Sequence, residues 1–144
     1  MDRMAAATRR HFLRVMSGGV AAVLLPVGVQ GARPVGHSRG LFPGHPEPRP
    51  NVDGSAVLES AAVRADLAET FDGIRAIPHV ADGIGCHCGC GAMPEMRSLL
   101  SCYEGIGMAQ FCVVCEGEGR MAVALYAEGK SLNEIRAAID RRFG

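Results

Sequence analysis

The sequence predicts a small all-α domain of about four helices built around a cysteine-rich loop, preceded by a signal peptide and a proline-rich linker. Three observations carry that prediction. Apolar residues between Val57 and Ile77 recur at spacings of three and four, the period of a one-sided helix. Ser131-Leu132-Asn133-Glu134 has the form of a capping box, in which the serine accepts from the third-position amide and the glutamate returns the bond. No strand pattern precedes Phe111, so these helical signals meet no competing sheet.

Residues 1–32 are laid out like a secretory leader. Thr8-Arg9-Arg10-His11-Phe12-Leu13-Arg14 is followed by a weakly apolar run from Val15 to Val29, broken by Gly18, Gly19 and Pro26, and then by the small residues Gly31 and Ala32. The run is too short and too interrupted for a membrane span, which needs about 20 apolar residues. The arginine pair resembles the twin-arginine export signal, Ser/Thr-Arg-Arg-x-Phe-Leu-Lys, and departs from it only at Arg14. An ordinary basic amphipathic N-terminus is the competing reading. The resemblance implies passage through the twin-arginine export machinery, a route for cargo already folded and often already loaded with a cofactor. It also implies an exported, periplasmic or otherwise extracytoplasmic mature protein.

Residues 33–54 contain Pro34, Pro43, Pro46, Pro48 and Pro50. Proline at that density removes amide donors and favours extended, solvated chain, so this stretch is expected to be a disordered Pro/Gly-rich linker. His37 and His45 lie in it and are expected to be solvated loop histidines more than ligands. No cysteine stands at the leader's cleavage point, so a lipoprotein-type anchor is not indicated.

The helical domain is expected over 55–144. Its first helix starts at Ser55 and ends near Ala76, before Pro78, with Val57, Leu58, Ala61, Ala62, Ala65, Leu67, Phe71, Ile74 and Ile77 as a core stripe. A shorter helix runs from Pro94, a good first helical residue, to about Tyr103, with Met96, Leu99 and Leu100 on its apolar side. A third spans about Cys112 to Glu128, with Met121, Ala124 and Leu125 among its apolar residues and a stop at Gly129, although Gly117 and Gly119 weaken its first half. The fourth follows Ser131, presents Leu132, Ile135, Ile139 and Phe143 on one face, and packs over the third.

Composition narrows the function. The chain has 15 Lys/Arg against 15 Asp/Glu, which argues against a nucleic-acid binder, since those carry a basic excess. Without residues 1–32 there remain eleven basic against fourteen acidic residues, so the mature protein is mildly acidic. Aromatic residues are 5% and there is no Trp, so the core rests on small aliphatic residues and needs support.

That support points to the six cysteines. Gly85-Cys86-His87-Cys88-Gly89-Cys90-Gly91 places three thiols in five residues, and Cys102, Cys112 and Cys115 follow. Sulfurs around a tetrahedral zinc lie somewhat under about 4 Å apart, given Zn–S bonds of about 2.3 Å. Residues i and i+2 of an extended strand stand roughly 6–7 Å apart, so the segment must curl, and Gly85, Gly89 and Gly91 permit the curl. Cys112 and Cys115, three apart at a helix start, are expected on one face, where the helix dipole favours thiolate.

Six thiolates exceed one structural zinc, so either two are spare or sulfur bridges more than one ion. All-sulfur ligation suits Cu(I), Zn(II) or, less well, an iron–sulfur cluster; Met93, Met96, Met108 and Met121 tilt the choice slightly toward copper, though methionine at helical spacing is more often core. His87 alternates away from the flanking cysteines and is read as a neighbour, not a ligand. Covalent haem attachment is unsupported because Glu116, not histidine, follows Cys115. No oxyanion motif accompanies the thiols, and no catalytic residue is assigned. Three disulfides remain the main alternative, each worth about 2–4 kcal/mol to a weak core, and a thiol–disulfide or electron-transfer protein is a third.

The runs CHCGC, LLSCY, CVVC and EGKSLNEIRAAID together resemble the bacterial family named for its Pro-Cys-Tyr-Cys-Gly-Cys motif, a set of exported or lipid-anchored proteins. The likeness covers about Ile77 to Gly144. Gly85 stands where that family has proline and His87 where it has tyrosine; neither departure removes a thiol. The resemblance implies a metal-binding group whose six matching positions are Cys86, Cys88, Cys90, Cys102, Cys112 and Cys115. The sequence thus leads to an exported thiolate protein that stores, buffers or delivers a soft metal, with a metal donor or acceptor protein as partner.

Overall fold

A computed structural model describes residues 42–144. The signal peptide expected over 1–32, the first part of the linker (33–41) and His37 lie outside the described residues. Four α-helices are present among them: α1 (Ala68–Ala76), α2 (Pro78–Asp82), α3 (Val113–Ala127) and α4 (Leu132–Phe143). Short 3-10 turns link them, and Val57 and Glu104 form one isolated antiparallel bridge. The all-α class is as expected. No helix among the described residues is long and apolar enough to cross a membrane.

The α3–α4 hairpin follows local rules. Ser131 caps α4, accepting from the Glu134 amide while Glu134 bonds back to the Ser131 amide at 2.9 Å. Gly129, at φ +79°, ends α3 in a Schellman arrangement: its amide reaches the Tyr126 carbonyl and the Lys130 amide reaches that of Leu125. Ile135, Ile139 and Phe143 are buried, with Leu132 half-buried. Helix α3 lies between α4 and α1. Its buried stripe is Val114, Cys115, Glu118, Gly119 and Ala122, whereas Ala124 is exposed and Met121 and Leu125 are half-buried. The inward face is therefore rotated from the one Met121 and Leu125 suggest, because Cys115 and Glu118 point inward together with the smaller Val114, Gly119 and Ala122. Gly119 is required there: a Cβ would collide with the Tyr103 hydroxyl and ring.

Two expected helices are corrected. The first begins only at Ala68; before it stand the turns Ser60–Ala62 and Ala65–Leu67, and Ala61, Ala62 and Ala65 are exposed. Backbone groups that a helix would use internally are committed elsewhere. The Leu58 amide donates to the Tyr103 carbonyl at 3.1 Å and the Arg64 amide to Gln110 Oε1 at 3.0 Å. The helix expected from Pro94 is reduced to the turn Leu100–Tyr103, since the Leu99 amide is drawn 2.7 Å from the Ile84 carbonyl and Arg97 and Ser98 reach for Asp82.

Asp82 organises this half. Its buried carboxylate ends α2 and accepts from the Arg49 amide (2.8 Å), Arg49 Nε and Nη2 (3.1 and 2.9 Å), Arg97 Nη1 (2.7 Å) and Ser98 Oγ (3.1 Å). An anion at a helix C-terminus opposes the dipole, and the two guanidinium groups offset that. Burial pushes the Asp82 carboxyl up, but the bonds from Arg49, Ser98 and Arg97 outweigh it and hold the group below the ordinary carboxylate range.

The expected linker is also corrected over the residues described. From Phe42 to Arg49 the chain is a strap bound to the domain. The Pro46 carbonyl accepts from Arg136 Nη2 at 2.7 Å, that of Glu47 from Arg97, and Arg49 is bound to Asp82. Proline lacks a donor but keeps its acceptor, and arginines of the domain use it.

Candidate metal centre

The loop Gly85–Gly91 crosses the start of α3, and the three spacings of its cysteines resolve into different depths. Cys86 is buried, Cys88 and Cys90 half-buried. Gly89, at φ +87°, makes the left-handed step of the bend. Gly85 and Gly91 serve another purpose: side chains there would strike Gly44 and Pro43, so these two glycines seat the strap.

All six cysteines are free. Five come together in two groups whose sulfurs lie within 4.8 Å of one another: Cys86, Cys102 and Cys115, all buried, and Cys88, Cys90 and Cys115, nearer the surface. Cys115 belongs to both. The Cys86 sulfur is 3.3 Å from that of Cys88 and 3.4 Å from that of Cys115; Cys88 is 3.6 Å from Cys115 and 2.6 Å from Cys90. Most of these separations are those that a shared thiophilic ion would impose.

Cys102, expected only to close the site, stands fully buried in the inner group. Cys112 is outside both groups. It is the N-cap of α3, with extended backbone (φ −125°, ψ 109°).

The metal-free thiols divide their charge unevenly. Hydrogen bonds from Cys102, then Cys115 and Cys86, hold the Cys88 thiol well below its ordinary value. Burial, and next the bond to Cys88, pushes Cys90 up to about 12. In Cys86 the bond with Cys102 lowers the thiol and is outweighed by those with Cys115 and Cys88 and by burial, so it is pushed up. Of these thiols Cys88 is the one whose anion its neighbours favour, and a cation bound by the group would displace thiol protons.

Around the sulfurs is a polar frame that sequence reasoning missed. Glu118 Oε1 accepts from the His87 amide at 2.9 Å and faces His87 Nδ1 at 2.7 Å; His87 Nε2 lies 3.0 Å from Asp140 Oδ1. Both ring nitrogens therefore face carboxylates and neither faces a sulfur. Burial lowers the His87 pKa, and Glu118 and Asp140 more than restore it, leaving it raised. Glu118 is fully buried, and its Oε2 has no partner among the described residues. Its signal in the sequence was position: three residues after Cys115, it shares that residue's face of α3.

The strap completes the frame. The Phe42 ring stacks on His87, 4.0 Å between centroids and 14° between planes. His45, expected to be solvated, accepts the Gly85 amide at Nδ1 (3.0 Å), which leaves Nε2 to donate to Asp140 Oδ1 (3.0 Å). The Tyr103 hydroxyl donates to the Cys115 carbonyl at 2.9 Å and fixes the first turn of α3 beneath the thiols.

The arrangement can bind a soft cation in a sulfur-only shell held by a loop, a 3-10 turn and a helix. No family model, no curated protein and no solved structure matches the chain.

Proposed function

We propose that this is an exported cysteine-thiolate protein that stores, buffers or delivers a soft metal, Cu(I) or Zn(II). One observation carries the reading: two groups of three thiols share the sulfur of Cys115. Sharing is what six cysteines need if sulfur bridges more than one ion, and three soft donors at each position suit Cu(I) well. A single Zn(II) would instead draw four sulfurs from the same five. The twin-arginine-like leader supports loading before export to the periplasm or cell exterior. The similarity to the Pro-Cys-Tyr-Cys-Gly-Cys family supports cysteine ligation at these five positions, although it matches Cys112 as well. The two positions departing from that pattern, Gly85 and His87, both touch the strap, through His45 and Phe42.

A second reading has its own observation. Cys88 and Cys90, 2.6 Å apart at sulfur, are a thiol pair placed for thiol–disulfide exchange.

The test is metal analysis paired with free-thiol counting on protein exported through its own leader and purified without reductant or chelator. Stoichiometric metal, with thiols reactive only after stripping, is the expected outcome. Cys115→Ser should lose most of that metal and Cys112→Ser little. Absence of both metal and reactive thiols would establish disulfides and end the metal reading.

A further inference from the structure

Met96, Met108 and Met121 are half-buried against the outside of the core, and Met93 is exposed. The described residues hold Met93, Met96, Met108 and Met121, and none of them is among the buried residues that form the core. Three of the four, Met93, Met96 and Met108, line one surface groove of ≈ 500 Å³, which Glu95, Glu104 and the exposed Ile106 also line. Met93 is 38% exposed, too open for a packing filler. The groove also adjoins the thiol loop, because the Met93 amide donates to the Cys90 carbonyl at 2.8 Å and Ser101 of the groove precedes Cys102.

Thioethers are neutral, soft donors that select monovalent d10 cations over Zn(II), Mg(II) or Ca(II). Carboxylates nearby raise the local concentration of a cation without offering it a soft ligand. Neutral sulfur holds such an ion less tightly than thiolate does, so an ion landing on methionine has a downhill path to cysteine. We infer that the Met93–Met96–Met108 groove is a thioether landing site for a Cu(I)-class cation, which passes from there to the thiolates. The transfer rests on the thiolate reading above; binding in the groove does not. It needs no redox partner: the cation keeps its charge, thioether–metal bonds break as thiolate–metal bonds form, and the thiol protons leave to solvent.

The experiment uses the full chain with ¹³C-labelled methionine methyl groups, titrated anaerobically with Ag(I), a redox-inert member of the same class. Beyond the equivalents that produce thiolate–silver absorption, the methyl signals of Met93, Met96 and Met108 should move together while Met121 stays in place. In the triple variant M93L/M96L/M108L, leucine keeps volume and apolarity, so thiolate loading should reach the same final stoichiometry but at least about fivefold more slowly. Unmoved methyl signals, equal movement at Met121, or loading of the variant at the original rate would overturn the landing site and leave the thiolate reading intact. Methyl movement without any thiolate–silver absorption would instead overturn the thiolate reading and the transfer, and uphold the groove.

Discussion

The α3–α4 hairpin and the stretch from Phe42 to Cys112 are held by different means. In the hairpin, backbone groups are satisfied within a few residues, by the Ser131 capping box and by the bonds that close α3 at Gly129. In the earlier stretch, order comes from side chains that reach across the domain: Arg49 to Asp82, Arg64 to Gln110, His87 to Glu118 and His45 to Asp140. The difference teaches where function is placed. The regular hairpin supplies one rigid wall, with Cys115 and Glu118 on it, and the irregular stretch supplies the five-residue bend and Cys102 that must conform to a ligand.

Breaking the long-range half should cost most. Asp82→Ala strands two arginines around an apolar hole; loss of one partner of a buried pair costs about 3–5 kcal/mol, and the partial exposure of Arg49 and Arg97 puts this case near the lower end. Urea unfolding at neutral pH checks it, and a cost below that of removing the Ser131 cap would refute the contrast. Because the Asp82 carboxyl is held below its ordinary value, its contribution should be fully present above about pH 4 and be lost as the pH falls through its lower folded value. The variant should therefore show a flatter acid limb than the parent.

Gly119→Ala tests whether the two regions must fit closely. Helix propensity alone would favour alanine by about 1 kcal/mol. The collision with Tyr103 should reverse that sign, giving a net loss of about 1–3 kcal/mol from overpacking. A melting temperature equal to or above the parent's would show that Tyr103 moves aside at no cost.

The smallest effect is expected at Ser131→Ala, about 1 kcal/mol for loss of an N-cap. Thermal unfolding should register it while metal content stays unchanged, since the cap touches none of the sulfurs.

What the sequence discloses follows the same division. Ser131, Gly129 and the Ile135–Ile139–Phe143 face are legible because each acts on its near neighbours. Ala61, Ala62 and Ala65 satisfy the helical period yet are exposed, because bonds such as that from Leu58 to Tyr103 divert the backbone. The clustering of thiols is legible from spacing, but the exchange of roles between Cys102 and Cys112 is not: it depends on the turn Leu100–Tyr103 burying Cys102 with Cys86 and Cys115. The strap escapes notice because proline density signals solvated chain, and nothing local shows that Arg97 and Arg136 will claim its carbonyls.

The contact between His45 and Asp140 spans 95 residues, and that separation sets an order of events. Synthesis delivers the strap first and its anchors on α4 last. All six cysteines are in the chain once Cys115 has been added, yet Asp140 is still about 25 residues away, roughly 1–5 s at elongation rates of about 5–20 residues per second. During that interval Phe42 and His45 have no completed frame to dock on. The chain thus contains all of its sulfurs before the segment that will lie against them can be fastened.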